Sequence, residues 1–405
     1  MKILTFDTET TTFQKGNPFS RRNKLCYVGV DLNDLYWDFP IEYDIRPYGE
    51  HLKKIINMVQ QADLIVGFNL KFDLHWLRRY EPFLDIRGVV WDCQLAEFIL
   101  SYQRNAYPTL NESAARFGLG SKLDSVSENY WNNGIDTPDV PEDTLRDYLK
   151  RDVELTKQLY FKQYEELHRR NQLPLMQAQC EDLLILWEME HNGQKYNAKR
   201  SLEESHNARR RMEEIDRELG ELVGFYGLNW NSDDHVSAVL YGGSLPLAEA
   251  VPTQRVLKNG TVKHGTKQGW VHYDLPRLVE PLENTETKPT CEWDDDELQR
   301  RNEGREKRFF RVYSVGEPTL KSVKARGKAR TIIGLLLERT KLAKLDSTYY
   351  SGLPALIEEM DWPEDKLHGQ FNQCVAVTGR LSSSRPNQQN FAGDIKFLFE
   401  SEYAD

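Results

Sequence analysis

The place where the first apolar run ends constrains the fold more than any other feature. Residues 2–6 read as a short strand buried in a sheet, and the next three residues are Asp7-Thr8-Glu9. In extended geometry Asp7 and Glu9 leave the same face. A sheet that buries this strand therefore gathers two carboxylates at its end. Further on, Gly67-Phe68-Asn69-Leu70-Lys71-Phe72-Asp73 puts Asn69, a good N-cap, ahead of a helix whose first turn carries Asp73. Tyr148 and Asp152 stand four apart in a strongly helical stretch and share one helix face.

Converging carboxylates suit phosphoryl chemistry. Two divalent ions roughly 3.5–4 Å apart stabilise both the attacking and the leaving oxygen of a displacement. Magnesium takes oxygen ligands and binds through a few carboxylates plus substrate phosphates. A tyrosine hydroxyl one turn before the last carboxylate can orient a water. Each fragment also has a plainer use. A D-x-E pair is common, Asn69 to Asp73 can be only a helix cap, and Tyr148 with Asp152 can be a solvated face. The ordered set is far more specific, and it resembles the three exonuclease motifs of the DEDD superfamily in its tyrosine-bearing branch. That resemblance implies a ribonuclease H-like α/β domain, a mixed sheet flanked by helices. It also implies that Asp7, Glu9, Asp73 and Asp152 bind two Mg²⁺ ions, or Mn²⁺, and that Tyr148 positions the water. Asn69 would touch the DNA strand.

Composition narrows the class. The chain has 405 residues, enough for two or three domains. Cys26, Cys93, Cys180, Cys291 and Cys374 are scattered with no C-x-x-C pair, which argues for a reducing compartment and against structural zinc or a disulfide framework. No window has the apolar length of a membrane span, and the first residues run directly into a strand, so no signal peptide is expected. The expectation is a cytoplasmic protein with no membrane partner. Net charge is −10, which disfavours a polyanionic partner on average. The average hides residues 300–344, with 14 Lys/Arg against four Asp/Glu, just after an acidic run at 292–297. Such a stretch can neutralise phosphates, or it can be a solvated helix face.

Residues 1–170 read as α/β, with strands at 3–6, 25–30, 35–39 and 64–66 and helices near 48–61, 70–79, 92–102, 109–117 and 142–170. Asn33-Asp34 suggests a hairpin turn. Phe72, His75 and Trp76 can stack on frayed bases, although core packing is the commoner use. Residues 171–241 read as helical. Leu183, Leu184, Leu186, Trp187 and Met189 form an apolar face, and His191-Asn192-Gly193 is a stop signal. A long charged helix is expected over 198–222, and a short one capped by Asn231-Ser232 and closed by Gly242-Gly243. The segment 244–312 is rich in Gly, Pro, Thr and charge, with a strand-like piece at 269–273 and no helical period until Asp294. It reads as an inserted subdomain or excursion. A helix over 319–344 follows, with Leu335, Leu336 and Leu337 buried.

The closing stretch runs Thr378-Gly379-Arg380-Leu381-Ser382-Ser383-Ser384-Arg385-Pro386-Asn387-Gln388-Gln389-Asn390. Arginine can donate to the minor-groove acceptors that every base pair presents, and hydroxyls and amides can do the same or hold phosphates. The string closely resembles a signature of family A DNA polymerases at the start of the palm. Leu345-Asp346-Ser347-Thr348-Tyr349-Tyr350 is similar to the base of that family's thumb. Gln388 stands where leucine is usual, and Phe391-Ala392 where isoleucine-proline is, which affects the template contacts.

The resemblance implies an exonuclease domain at 1–170, a helical connector and thumb at 171–367 with the insertion at 244–312, and a partial palm at 368–405. It also implies that Arg380 contacts the minor groove, with Ser382, Ser383, Asn387 and Gln389 assisting. Lys321, Lys324, Arg326, Lys328 and Lys344 would contact the DNA backbone. The family's motifs A, B and C would follow this string. Tyr403-Ala404-Asp405 comes too soon to be motif A, and residues 395–399 read as a palm strand with an uncovered face. The expectation is the N-terminal part of a split family A polymerase of phage replicative type. It would bind primer-template and single-stranded 3′ ends and join a C-terminal subunit that carries the fingers and the remaining palm. A processivity factor would have a possible seat at 244–312. A DNA-binding and assembly module, and an artificially shortened polymerase, are the alternatives.

Overall fold

The protein is described by a computed structural model that covers all residues except 44–47, 124, 257–261, 288–311 and 402–405. Two compact units emerge, one of Met1–Ser201 with Gly352–Asp405, the other of Leu202–Ser351. The helix after residue 170 and the return from 352 thus join the N-terminal sheet, unlike the boundaries expected near 170 and 367.

The first unit is built on a five-stranded mixed sheet of order β3-β2-β1-β4-β5. Its strands are β1 (Ile3–Thr10), β2 (Leu25–Leu32), β3 (Leu35–Pro40), β4 (Leu64–Gly67) and β5 (Val89–Asp92). β1 runs antiparallel to β2 and parallel to β4. Leu32 pairs Leu35 across the hairpin, and Asn33 and Asp34 both take positive φ (51° and 72°), as a tight primed turn requires. β1 extends beyond the expected 3–6 because β2 pairs it as far as Thr10. Asp7 and Glu9 therefore lie inside the ladder, opposite Gly29 and Tyr27. β5 was not expected: its four residues run directly into the helix that was expected near 92–102.

The helices of this unit are α1 (Gly49–Gln61), α2 (Leu70–Tyr80), α3 (Cys93–Leu100), α4 (Leu110–Arg116), α5 (Ser125–Asn129), α6 (Glu142–Arg169) and α7 (Leu173–Asn192). α6 lies against β1, β2 and β4. Gly29 permits this close approach: a Cβ there would stand 2.8 Å from Leu149 Cγ and 3.1 Å from Tyr36 Oη. Trp76 is fully buried and donates to Gly16 O, and His75 is buried too, so of the three candidate stacking rings only Phe72 keeps exposure. On α7, Leu183, Leu186 and Trp187 are buried, but Met189 is 49% exposed. The buried neighbour is Glu190, which accepts from Lys71 Nζ at 2.6 Å, His75 Nε2 at 2.9 Å and Phe371 N at 2.5 Å. Three donors make burial of that carboxylate tolerable. Gly193 ends α7 with φ 64°.

In the returning segment, Gln370–Asn372 pairs antiparallel with Ser382–Ser384. Residues 395–399 are not the expected strand. Gly393–Leu398 is a 3₁₀ turn in which Ile395 and Leu398, three apart, are both fully buried. Those two side chains are thereby covered within the unit itself, while Phe397 stays 41% exposed.

The second unit has its own core, including Ile215, Leu219, Leu240, Tyr241, Ile332 and Leu336. The helix Ala198–Val223 matches the expected charged helix, and Asp233–Tyr241 follows Ser232. Instead of one helix over 319–344 there are two, Glu317–Ser322 and Gly327–Leu345. Val323 and Arg326 are extended and Gly327 has φ +53°, which breaks the helical ladder. Leu335 and Leu336 are buried, and Leu337 is only partly so. A long hairpin, Gly243–Val256 with Val262–Leu275, occupies the region where only a five-residue strand was expected, because glycines and prolines mask its period. Cys291, the acidic run at 292–297, the start of the basic stretch and Tyr403-Ala404-Asp405 lie outside the described residues. Among the described residues no helix is long and apolar enough to cross a membrane.

Candidate active site

Asp7 and Glu9 rise from one face of β1, and α6 crosses above with Tyr148 and Asp152 turned down towards them. Ligand oxygens of Asp7, Glu9 and Asp152 all lie within 4.8 Å of one another. Tyr148 and Asp152 are both buried, and Trp131 packs edge-on against the Tyr148 ring, with centroids 5.5 Å apart. Asp152 Oδ1 is buried with no hydrogen-bond partner. An all-oxygen donor set, tightly grouped, with one buried oxygen left unpartnered, fits a hard divalent cation such as Mg²⁺ or Mn²⁺.

Asp73, the fourth expected ligand, stands beside this group and not within it. Its Oδ1 accepts from the Thr8 amide at 3.1 Å and from Thr8 Oγ1 at 2.6 Å. The middle residue of Asp7-Thr8-Glu9 points to the opposite face of β1, so it holds Asp73 while its neighbours form the cluster. Asn69 is the N-cap residue of α2 by position only. Its φ of 59° is left-handed and its side chain makes no cap hydrogen bond. The cap comes from Asp92, whose carboxylate accepts from Asn69 N at 3.2 Å and Leu70 N at 2.9 Å. The same carboxylate accepts from Gln94 N at 2.7 Å and Leu95 N at 3.3 Å, tying the starts of α2 and α3 together. Asn69 is exposed and faces the cavity instead.

Burial and mutual repulsion dominate the electrostatics. Burial, then the Asp152 charge, pushes Asp7 up to about 7. Glu9 is held well above the usual carboxylate range by burial, then by Asp7 and Asp152. Asp73 is raised by burial and then by Asp7, against the Thr8 hydrogen bonds. Burial also raises Asp152, against the opposing pull of Lys122. Burial and the Glu9 charge raise the Tyr148 phenol, keeping it a hydroxyl. Full ionisation of the cluster at neutral pH therefore requires added positive charge nearby.

Several participants escaped the sequence reading. Lys122 ion-pairs with Asp152 Oδ2 and lies 4.9 Å from the Tyr148 ring centroid. No local pattern marks it, since it reaches the site from an irregular loop. Asp92 was hidden because β5 was not recognised. The cavity above the carboxylates holds about 500 Å³ and reaches Asn69, Gln94 and Tyr107. Those three residues also border an adjoining cavity of about 250 Å³ walled by Phe19, Phe72 and Phe371. Gln94 Nε2 donates to Pro108 O at 3.0 Å and the Tyr107 amide to Cys374 O at 3.0 Å, which fixes the loop between α3 and α4. The arrangement is an open groove with a metal-suited floor, apolar walls and amide-bearing rims.

The candidate duplex contacts fall elsewhere. Arg380, Asn387 and Gln389 are exposed in the first unit, in and after the hairpin that ends with Ser382–Ser384. Ser382 is half-buried. Ser383 is buried, with Oγ donating to Pro386 O at 3.3 Å and accepting from Gln388 N at 3.2 Å, so its hydroxyl braces its own turn and does not face DNA. In the second unit Lys324, Arg326, Lys328 and Lys344 are exposed, while Lys321 pairs with Glu317 at 2.5 Å.

Comparison with known proteins agrees with the closing string. Residues 296–399 match the family described as DNA polymerase family A. DNA polymerase I of Bacillus subtilis is 24% identical over 308 residues, which is 76% of this chain and 27% of that enzyme. DNA polymerase I of Synechocystis is 44% identical over 78 residues, 19% of this chain and 7% of that enzyme. The POL domain of Pol1 from M. smegmatis, solved in complex with DNA primer-template and dNTP, superposes with a TM-score of 0.60 at 16% identity. That superposition covers 98% of this chain and 55% of the mycobacterial one and is a likeness of fold. The chain thus spans well under two thirds of these relatives' lengths. The chain is similar to the DNA polymerase I of Bacillus subtilis over 76% of its length, and residues 296–399 match the family described as DNA polymerase family A.

Proposed function

We propose that the first unit is a 3′→5′ exonuclease of ribonuclease H-like fold, the proofreading centre of a family A DNA polymerase, and that the helical second unit is its thumb. The observation that carries this reading is the meeting of Asp7, Glu9 and Asp152 within 4.8 Å, with Asp73 alongside and Tyr148 one turn before Asp152. Divalent cations bound by these carboxylates would stabilise charge on the attacking and leaving oxygens of a phosphodiester. Tyr148 orients a water at the 3′-terminal phosphate through its hydroxyl, which stays protonated. Thr8 keeps Asp73 in one rotamer. The groove at Asn69, Gln94 and Tyr107 takes a frayed single strand, whose bases find Phe72 and Tyr107 as stacking faces. Hydrolysis releases nucleoside 5′-monophosphates.

Arg380, Asn387 and Gln389 are proposed to meet the primer-template minor groove, and the exposed lysines and arginines of the thumb its backbone. The proposal carries with it a cytoplasmic site of action in replication. Polymerisation then needs fingers and a complete palm. A second polypeptide would supply them, as expected for a split phage-type enzyme, or further residues of a longer chain. A processivity factor on the 244–312 insertion belongs to the same proposal.

The test is a primer-template assay with Mg²⁺, with and without dNTPs. Shortening of the primer is expected, and Asp73→Ala is expected to slow it by about 100-fold or more with duplex affinity retained. Normal cleavage by Asp73→Ala alongside lost DNA binding would refute the assignment. Loss of duplex grip on removal of the thumb basic residues, with no cleavage by the intact chain, would favour a binding and assembly module.

A further inference from the structure

Among the described residues Lys122 is the cation that ion-pairs with the carboxylate floor, and its place is built. Its amide donates to Asn111 Oδ1 at 2.7 Å, which anchors it to α4. The preceding loop is stapled to α6 by Arg151, the neighbour of Asp152, whose guanidinium donates to Leu119 O and Ser121 O at 3.1 Å each. Gly118 and Gly120 have φ +68° and +89°, backbone that a larger residue would strain. A Cβ on Gly120 would also come within 3.0 Å of the same Arg151 guanidinium. A lysine serving only solubility needs none of this. The ammonium ends on Asp152 Oδ2 while Asp152 Oδ1 is left buried and unpartnered. One carboxylate thus has one oxygen held by a lysine and the other buried without a hydrogen-bond partner.

We infer that Lys122 is a resident counter-cation that pairs with Asp152 until a divalent ion loads, then gives up that carboxylate and turns its ammonium to the scissile phosphate. The inference rests on the exonuclease reading above and concerns how that site is loaded. An ion on Asp152 Oδ1 and the ammonium on Oδ2 would be like charges a few ångströms apart on one carboxylate, so the ion and the lysine compete. The side chain's four-carbon stem and 25% exposure let the head swing without moving the loop. A free ammonium beside the floor then faces the anionic substrate that the same ions recruit.

The experiment titrates the full chain with Mn²⁺, following thermal unfolding and, separately, single-turnover cleavage of a single-stranded oligodeoxynucleotide. Wild type is compared with Lys122→Met, Lys122→Arg and Asp152→Asn. Lys122→Met should reach half-saturation at about tenfold lower Mn²⁺, because a competing charge a few ångströms away is gone. It should also unfold at a lower temperature in EDTA and cleave at least about tenfold more slowly at saturating Mn²⁺. Lys122→Arg, which keeps the charge, should restore the wild-type unfolding temperature in EDTA. A Lys122→Met midpoint equal to or above wild type, or an undiminished cleavage rate, overturns the inference. Peptide mapping after brief acetylation of wild-type protein needs no variant: Lys122 should react faster with Mn²⁺ than in EDTA, and equal reactivity overturns the inference. Should wild type, like Asp152→Asn, neither gain stability from Mn²⁺ nor cleave, the exonuclease reading itself is what fails.

Discussion

Replacing Gly29 by alanine tests whether the carboxylate floor depends on the seating of α6. Gly29 pairs with Asp7 in the sheet, and a methyl group there would lie 2.8 Å from Leu149 Cγ and 3.1 Å from Leu149 Cδ1. Leu149 is fully buried, so it has no empty space to rotate into. To recover ordinary contact of about 3.5–4 Å, the helix must rise by up to roughly 1 Å. Tyr148 and Asp152 sit either side of Leu149 and move with it, away from Asp7 and Glu9. Overpacking of this kind costs about 1–3 kcal/mol, which urea denaturation would read as a lower midpoint at unchanged slope. A displacement of about 1 Å in reacting groups costs on the order of 100-fold in rate. Single-turnover cleavage of a single-stranded oligonucleotide is the second assay. Adding Leu149→Ala to Gly29→Ala should recover part of the rate while stability stays low, since the methyl then fits but a cavity replaces leucine. A Gly29→Ala protein with unchanged midpoint and unchanged rate would refute the argument that this glycine sets the height of α6.

The carboxylate cluster makes stability depend on pH in a defined direction. Asp7, raised mainly by burial to about 7 from 3.8, favours the folded state most below pH 3.8, and this contribution is lost as pH rises through about 7. A shift of that size is on the order of 4 kcal/mol, so in EDTA the unfolding midpoint should fall between pH 5 and pH 8. Mn²⁺ should raise it more at pH 8 than at pH 5, and equal stabilisation at both would contradict the reading that these carboxylates hold a divalent ion. In the second unit, replacing Lys324, Arg326 and Lys328 together by serine should weaken duplex binding for all sequences and lower the salt slope by about three. An unchanged slope would mean that these residues form only a solvated face.

How far could this site be read in advance? Asp7 and Glu9 were legible because alternation along a strand is a rule of period two, needing no knowledge of neighbours. Tyr148 and Asp152 were legible as a pair because helical spacing is equally local. The role of Asn69 was misread since its left-handed φ of 59° turns the side chain off the helix start, and Asp92 from another strand supplies the cap. Residues 395–399 misled for a similar reason. Their apolar density suits a strand, but Ile395 and Leu398 are buried together by a 3₁₀ turn.

By itself, the sequence determined most strands and helices around the acidic residues, though not β5, the shared faces of Asp7 with Glu9 and of Tyr148 with Asp152, and the string at residues 378–390 that resembles a polymerase signature. These follow from relations over two to four residues or from contiguous motif. Only the tertiary structure decided that Thr8 clamps Asp73 across 65 positions, that Asp92 joins two helix starts, that Lys122 meets Asp152, and that Gly29 lets α6 come close enough for the floor to form. Such contacts depend on which buried surfaces fit together, and that fit is a property of the packed whole and of no single stretch of chain.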